Sequence, residues 1–107
     1  MALTFAKISI QGSLIVAEKG YDPAVHEYTC WELMKIIKEL NLENLKHMDC
    51  VLNIIFNYSQ CKEILEKEIP ILLSADLSVK ARKVVKGLEY ALSDITDPFN
   101  YLLLEGD

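Results

Sequence analysis

Residues that break regular structure are scarce in this chain: four Gly and three Pro are spread over 107 positions. A many-stranded β-sandwich draws heavily on both at its turns, so the shortage argues against one and favours long elements between Pro23, Pro70 and Pro98. A surplus of positive charge is missing too. Sixteen acidic residues against eleven Lys and Arg give a formal charge of −5, the wrong sign for a surface that must answer nucleic-acid phosphates. No run approaches the roughly 20 apolar residues that span a bilayer. The partly apolar stretch 3–16 is interrupted by Lys7, Ser9, Gln11 and Ser13 and has no clear cleavage site, so it does not read as a signal peptide. The three cysteines are an odd number, which argues against a secreted disulfide framework and for a reducing, cytoplasmic setting. The sequon Asn57-Tyr58-Ser59 is idle there. Neither nucleic acid nor membrane is therefore an expected partner.

What is present suffices for one core. Hydrophobic residues make up 51% of the chain and charged residues 25%, close to the soluble globular average. A single helical domain over residues 1–107 is the expectation. Its first segment, 2–19, places Leu3, Ala6, Ile10 and Leu14 on one helical stripe and is assigned as helix, with Gly20 as its terminator. A short strand through Phe5 to Ile10 stays open as the alternative, because Gly12 weakens a helix by about 1 kcal/mol.

Asp22-Pro23 reads as a helix start, followed by Val25, Tyr28, Trp31, Leu33, Met34, Ile37 and Leu40 at helical spacing. After a turn near Asn41, Leu42, Leu45, Met48, Leu52, Ile55 and Phe56 predict a second helix. A break at 57–60 precedes Cys61, Ile64 and Leu65. Pro70 should end or kink that run near Glu68, and Ile69 to Leu73 form a short helix beyond it. Asp76 and Ser78 are the candidate caps for a last long helix through Val84, Val85, Leu88 and Leu92. The tail 98–107 is apolar, then acidic, and as a further helix would cap the core.

Sliding the chain by 36 residues brings Leu33 onto Ile69, Ile36 and Ile37 onto Leu72 and Leu73, Leu52 onto Leu88 and Phe56 onto Leu92. The units 23–57 and 61–94 thus repeat short helix, turn and long helix. Within the second, the stretch from Asn57 through Ile69-Pro70-Ile71-Leu72-Leu73 resembles the opening of an armadillo repeat, and the resemblance covers about residues 24–94. It implies an all-α fold, either a short armadillo- or HEAT-like helical repeat or a compact antiparallel bundle of about five to six helices. It also implies a protein-binding surface, because an Asn on the family's third helix grips an extended peptide. Asn53 matches that position; the second copy has Glu89, the Gly before Ile-Pro is Glu68 here, and the third-helix Trp is missing from both copies.

Chemistry-bearing residues are few. His26 and Cys30 are four apart and His47 and Cys50 three apart, spacings that put each pair on one helical face and make a zinc site conceivable. The plainer reading, buried cysteines with surface histidines, is favoured, so no metal and no cofactor is assigned. Cys61 reads as a semi-buried thiol without a paired base. Lys80, Lys83 and Lys86 share a helix face, most simply a solvated one, and Glu63, Glu66 and Glu68 read as surface charge. Tyr28, Trp31, Phe56 and Tyr90 fall on apolar stripes and read as core. The resulting expectation is a non-enzymatic protein–protein interaction module contacting partners through Asn53, Asn57, Glu89, Lys80, Lys83, Lys86, Phe99 and Tyr101. The alternatives are a self-associating subunit of a larger assembly and a zinc- or thiol-dependent protein.

Overall fold

Gly12 decides the start of the chain. A computed structural model describes residues 3–21 and 27–106, and in it Gly12 has φ +64°, a conformation glycine adopts without steric cost. Gly12 and Ser13 form a two-residue turn between β1 (Thr4–Gln11) and β2 (Leu14–Tyr21), which pair antiparallel from Gln11↔Leu14 to Phe5↔Tyr21. The stretch assigned above as a helix is therefore a β-hairpin. The Gly that weakened the helix is the residue a tight hairpin turn needs.

The rest of the sheet comes from two further segments assigned to helices. The tail forms β4 (Asn100–Glu105), which runs antiparallel to β1, and β3 (Ile54–Phe56) pairs with β4, giving the order β2-β1-β4-β3. Between 42 and 53 only a single 3-10 turn, Leu45–His47, is helical. Leu42, Leu45 and Met48 are buried but Val51 and Leu52 are exposed, so the apolar spacing does not run on as one buried stripe. The fold is α+β. This corrects the all-α expectation in each of its forms, the bundle as well as the armadillo- or HEAT-like helical repeat.

The helices proper follow local signals. Helix α1 (Glu27–Leu40) ends where Asn41 adopts φ 53°. There the Asn41 amide donates to the Lys38 carbonyl and the Leu42 amide to that of Ile37, a Schellman ending with the buried Leu42 and Ile37 as its apolar contact. Its start signal, Asp22-Pro23, lies outside the described residues. Helix α2 (Tyr58–Glu63) opens with a capping box, the Asn57 side chain accepting from the Gln60 amide and the Gln60 side chain from that of Asn57. It widens into a π-helical turn, Ile64–Glu68, and continues as α3 (Ile69–Leu73). Pro70 has no N–H and its ring crowds the carbonyl four residues back. The wider π turn accommodates both, so Pro70 reshapes the helix without ending it. Helix α4 (Val79–Ser93) is capped by Ser78, whose hydroxyl accepts from the Ala81 amide. The armadillo-like stretch is thus helical from Tyr58 to Leu73, but the resemblance stops there, because it packs against the strand β4 as well as against α4.

Residues opposite one another in a ladder point to the same side, so the register sorts the sheet into two faces. Phe5, Leu102, Leu104, Phe56 and Ile54 share one face with Leu3 just outside β1. They join Leu33, Ile37, Ile64, Ile69, Leu72, Val85, Leu88 and Leu92 of the helices in one core. Each such side chain contributes about 1.5–3 kcal/mol through burial. The other face is formed by Ala6, Ile8 and Ile10, Leu103 and Tyr101, Ile55, and Ile15, Ala17 and Gly20. None of these residues belongs to the helix-covered core, although Ile8 is fully buried.

Candidate interaction surface

The uncovered face is apolar because β3 and β4 hardly alternate in hydrophobicity, while Ala6-Lys7-Ile8-Ser9-Ile10 of β1 alternates with its apolar set on this face. Leu102-Leu103-Leu104 sends its outer two residues into the core and its middle one to the far side. Ile54-Ile55-Phe56 does the same, and Ile55 is 37% exposed. Towards the hairpin end the exposure grows. Ile10 and Ile15 pair across the ladder at 43% and 56%, and Phe99, just before β4, reaches 80%. Exposed apolar residues that are contiguous across a sheet mark contact surfaces more often than isolated ones do.

The base of β2 is held to the helical layer by one polar cluster. The Lys19 ammonium lies 2.9 Å from Asp94 Oδ2, and the Tyr21 hydroxyl donates to the same oxygen at 2.5 Å. Lys19 Nζ also sits 5.0 Å and 5.1 Å from the ring centroids of Tyr21 and Tyr90, which meet edge-on at 5.9 Å. The Tyr21 hydroxyl, then Lys19, hold the Asp94 carboxyl below its ordinary range, while the hydrogen bonds Lys19 donates to Asp94 and Tyr90 raise Lys19. Burial and then Asp94 push the Tyr21 hydroxyl up. These shifts come from groups satisfying one another between β2 and α4. Above the cluster β2 has a bulge: Lys7 pairs with Lys19 but Ile8 with Ala17, leaving Glu18 without a partner residue. Its carboxylate accepts from Asn100 Nδ2.

The expected contact residues are scattered. Asn53 Oδ1 accepts from the Gly106 amide at 3.1 Å, and Asn57 is occupied in the capping box. Glu89 lies 3.6 Å from Lys86 on α4. Lys80 and Lys83 are exposed on the same helix, and Arg82 beside them donates to the Leu73 and Ala75 carbonyls. Lys80 borders an open cleft of about 560 Å³ with Tyr28, Thr29, Glu32, Ser78 and Val79. An anion has no vacancy at the α4 N-terminus there, because Glu32 already accepts from the Ser78 amide and hydroxyl at 3.2 and 2.8 Å. Phe99 and Tyr101 alone belong to the sheet surface. Tyr101 lies on the uncovered face opposite Ile8, and Phe99 lies beside the hairpin end.

The cysteines are arranged differently from the zinc alternative. Cys30 and Cys50, both buried, are joined in a disulfide that ties α1 to the segment leading into β3. A bonded sulfur has no thiolate to offer a metal. His47 is exposed, and His26 lies outside the described residues. Cys61 is a free, buried thiol pushed up to about 12 by desolvation, and its Sγ donates to the Phe56 carbonyl at 3.7 Å. A thiol reagent at neutral pH is therefore expected to leave the native, oxidised protein unmodified and to label one thiol after unfolding without reductant. Rapid labelling of the native state would contradict the burial of Cys61.

Sequence reasoning missed two features. Tyr28, Trp31 and Tyr90, read as core, are 91%, 50% and 57% exposed, and only Phe56 of that set is buried. Glu68, read as surface charge, is 4% exposed. Its Oε1 accepts from the Asn44 and Leu45 amides at 3.0 and 2.9 Å, and its Oε2 from Asn44 Nδ2 at 2.7 Å. Among the described residues no cluster of three or more His, Cys, Asp or Glu is arranged to hold a metal, and no helix is long and apolar enough to cross a membrane. No protein-family model matches the chain, and no curated protein or solved structure matches it either.

Proposed function

We propose that this chain is a non-enzymatic protein–protein interaction module that makes contact through the helix-free face of its sheet and the adjoining hairpin end. The observation that carries the reading is the row of apolar side chains crossing all four strands on that face, continued by Ile10, Ile15 and Phe99 at the open end. The polar groups most able to do chemistry support it, because they are committed elsewhere. Glu68 braces a turn, Asp94 ties β2 to α4, and Glu32 holds Ser78, the cap of α4.

The double variant Ile10→Lys with Ile15→Asp places an opposite-charge pair across the ladder, an arrangement a sheet tolerates, and replaces two exposed apolar side chains of that surface with charges. In affinity capture from native cells it is expected to lose at least one protein that the wild-type chain retains, with an unchanged circular-dichroism spectrum. Capture of the same proteins in the same amounts by both forms would refute the assignment of this surface.

A cytoplasmic setting, expected from the cysteine count, belongs to this proposal too. It requires Cys30 and Cys50 to rest there as two buried thiols, since cytosolic disulfides are rare. Trapping thiols with an alkylating agent in a denaturing lysis buffer, which exposes buried thiols, distinguishes the cases: modification of both supports the cytoplasm, and a protected pair supports an oxidising compartment.

A further inference from the structure

We infer that the occupant of the helix-free face is a second copy of this chain, packed face to face about a two-fold axis. This rests on the interaction reading above and names the partner for the same surface.

The edges of the sheet offer poor sites for adding a strand. β3 is three residues long, and the outer edge of β2 is interrupted by the bulge at Glu18 and the charge of Lys19. Short edge strands, bulges and edge charges are the devices that discourage edge-to-edge pairing. The face, by contrast, meets the requirement for stacking two sheets at about 10 Å, which is alternate residues that are apolar over several strands. Ile55, Leu103 and Ala6 make one row, Tyr101, Ile8 and Ala17 the next, and Ile10 with Ile15 a third; Ile55, Ala17, Ile10 and Ile15 are the exposed members, Leu103, Ala6 and Tyr101 are part-exposed, and Ile8 is fully buried.

Charge selects the occupant. In a two-fold contact the same patch is present on both sides, so any charge on it is duplicated with its own sign. This chain carries a formal −5, yet those three rows contain no charged residue. Among the described residues paired in the ladders, the carboxylate on this side is Glu105, at the end of β4 opposite Thr4. A surface without charge is self-complementary even for an acidic protein. A dissimilar partner is usually steered and fixed in register by opposite charges, and these rows provide none.

Sedimentation equilibrium of the full chain over a concentration series tests this. The wild-type chain is expected to move reversibly from 12.2 kDa towards twice that mass, and to keep doing so in 1 M salt, where screening removes surface ion pairs but not apolar contact. The Ile10→Lys, Ile15→Asp variant is expected to stay at the lower mass with an unchanged circular-dichroism spectrum. A wild-type chain that is monomeric throughout overturns the second copy as occupant. If the captured protein is still lost in the variant, the interaction reading survives that result. A variant that dimerises as well as wild type overturns the face as the site of self-association. So does dimerisation that disappears in 1 M salt.

Discussion

Replacing Glu68 by alanine is expected to destabilise the chain by about 3 kcal/mol, a fall in melting temperature of about 12–20 °C. The side chain is 4% exposed and accepts three hydrogen bonds, two from backbone amides that open the Leu45–His47 turn and one from the Asn44 side chain. Truncation leaves those donors buried without acceptors. Each unsatisfied buried donor costs about 1–3 kcal/mol, which outweighs the relief of desolvating one carboxylate. Glu68→Gln separates hydrogen bonding from charge. Its single oxygen can accept both amides, and the Asn44 amide can rotate to present its own oxygen to the new NH2 group. That variant is expected to lose only about 1 kcal/mol. Thermal or urea unfolding of the three proteins decides the matter, and an alanine variant within about 0.5 kcal/mol of wild type would show that Glu68 is not a brace.

Removal of the disulfide is the second large effect. The bond joins positions 20 apart in sequence, and closing a loop of that size in the unfolded chain is worth about 3 kcal/mol. Both sulfurs are buried and belong to the same core as Leu33 and Met34, so the native packing does not depend on the covalent link. Reduction is therefore expected to lower the urea midpoint while leaving the folded spectrum unchanged. A Cys30→Ala, Cys50→Ala variant should lose somewhat more, because the methyl groups fill less of the space the sulfurs occupied. Equal midpoints for the oxidised and reduced proteins would contradict a native Cys30–Cys50 bond.

Much of the helical half of this fold was legible in the residues. The turn at Asn41, the cap at Ser78, the short helix from Ile69 and the long one through Leu88 all follow from signals within a few positions of each element. Apart from the strand that the alternation through Phe5 to Ile10 left open, the sheet was not legible, for a physical reason. The strands β3 and β4 place apolar residues on both faces, so Leu102-Leu103-Leu104 and Ile54-Ile55-Phe56 lack the period-two alternation that identifies a half-buried strand. The same property created the candidate interaction surface, so the feature that obscured the fold is also the one most relevant to function. Burial of Glu68 and pairing of Cys30 with Cys50 depend on contacts across 24 and 20 positions, and no local pattern announces either. The exposed Tyr28, Trp31 and Tyr90 fell on apparent apolar stripes because helical spacing does not say which stripe faces inward.

The account depends on helices covering only one face of the sheet, and the strand β4 tests this residue by residue. Side-chain nuclear Overhauser contacts from Leu102 and Leu104 are expected to reach residues of α2, α4 and the π-helical turn, all of which bury side chains in the same core. Contacts from Leu103 and Tyr101 are expected to reach only their strand neighbours Ala6, Ile8 and Ile55, or residues of another molecule. Intramolecular contacts from Leu103 to any of the helices α1–α4 would place a helix over the face left open here and would contradict the account.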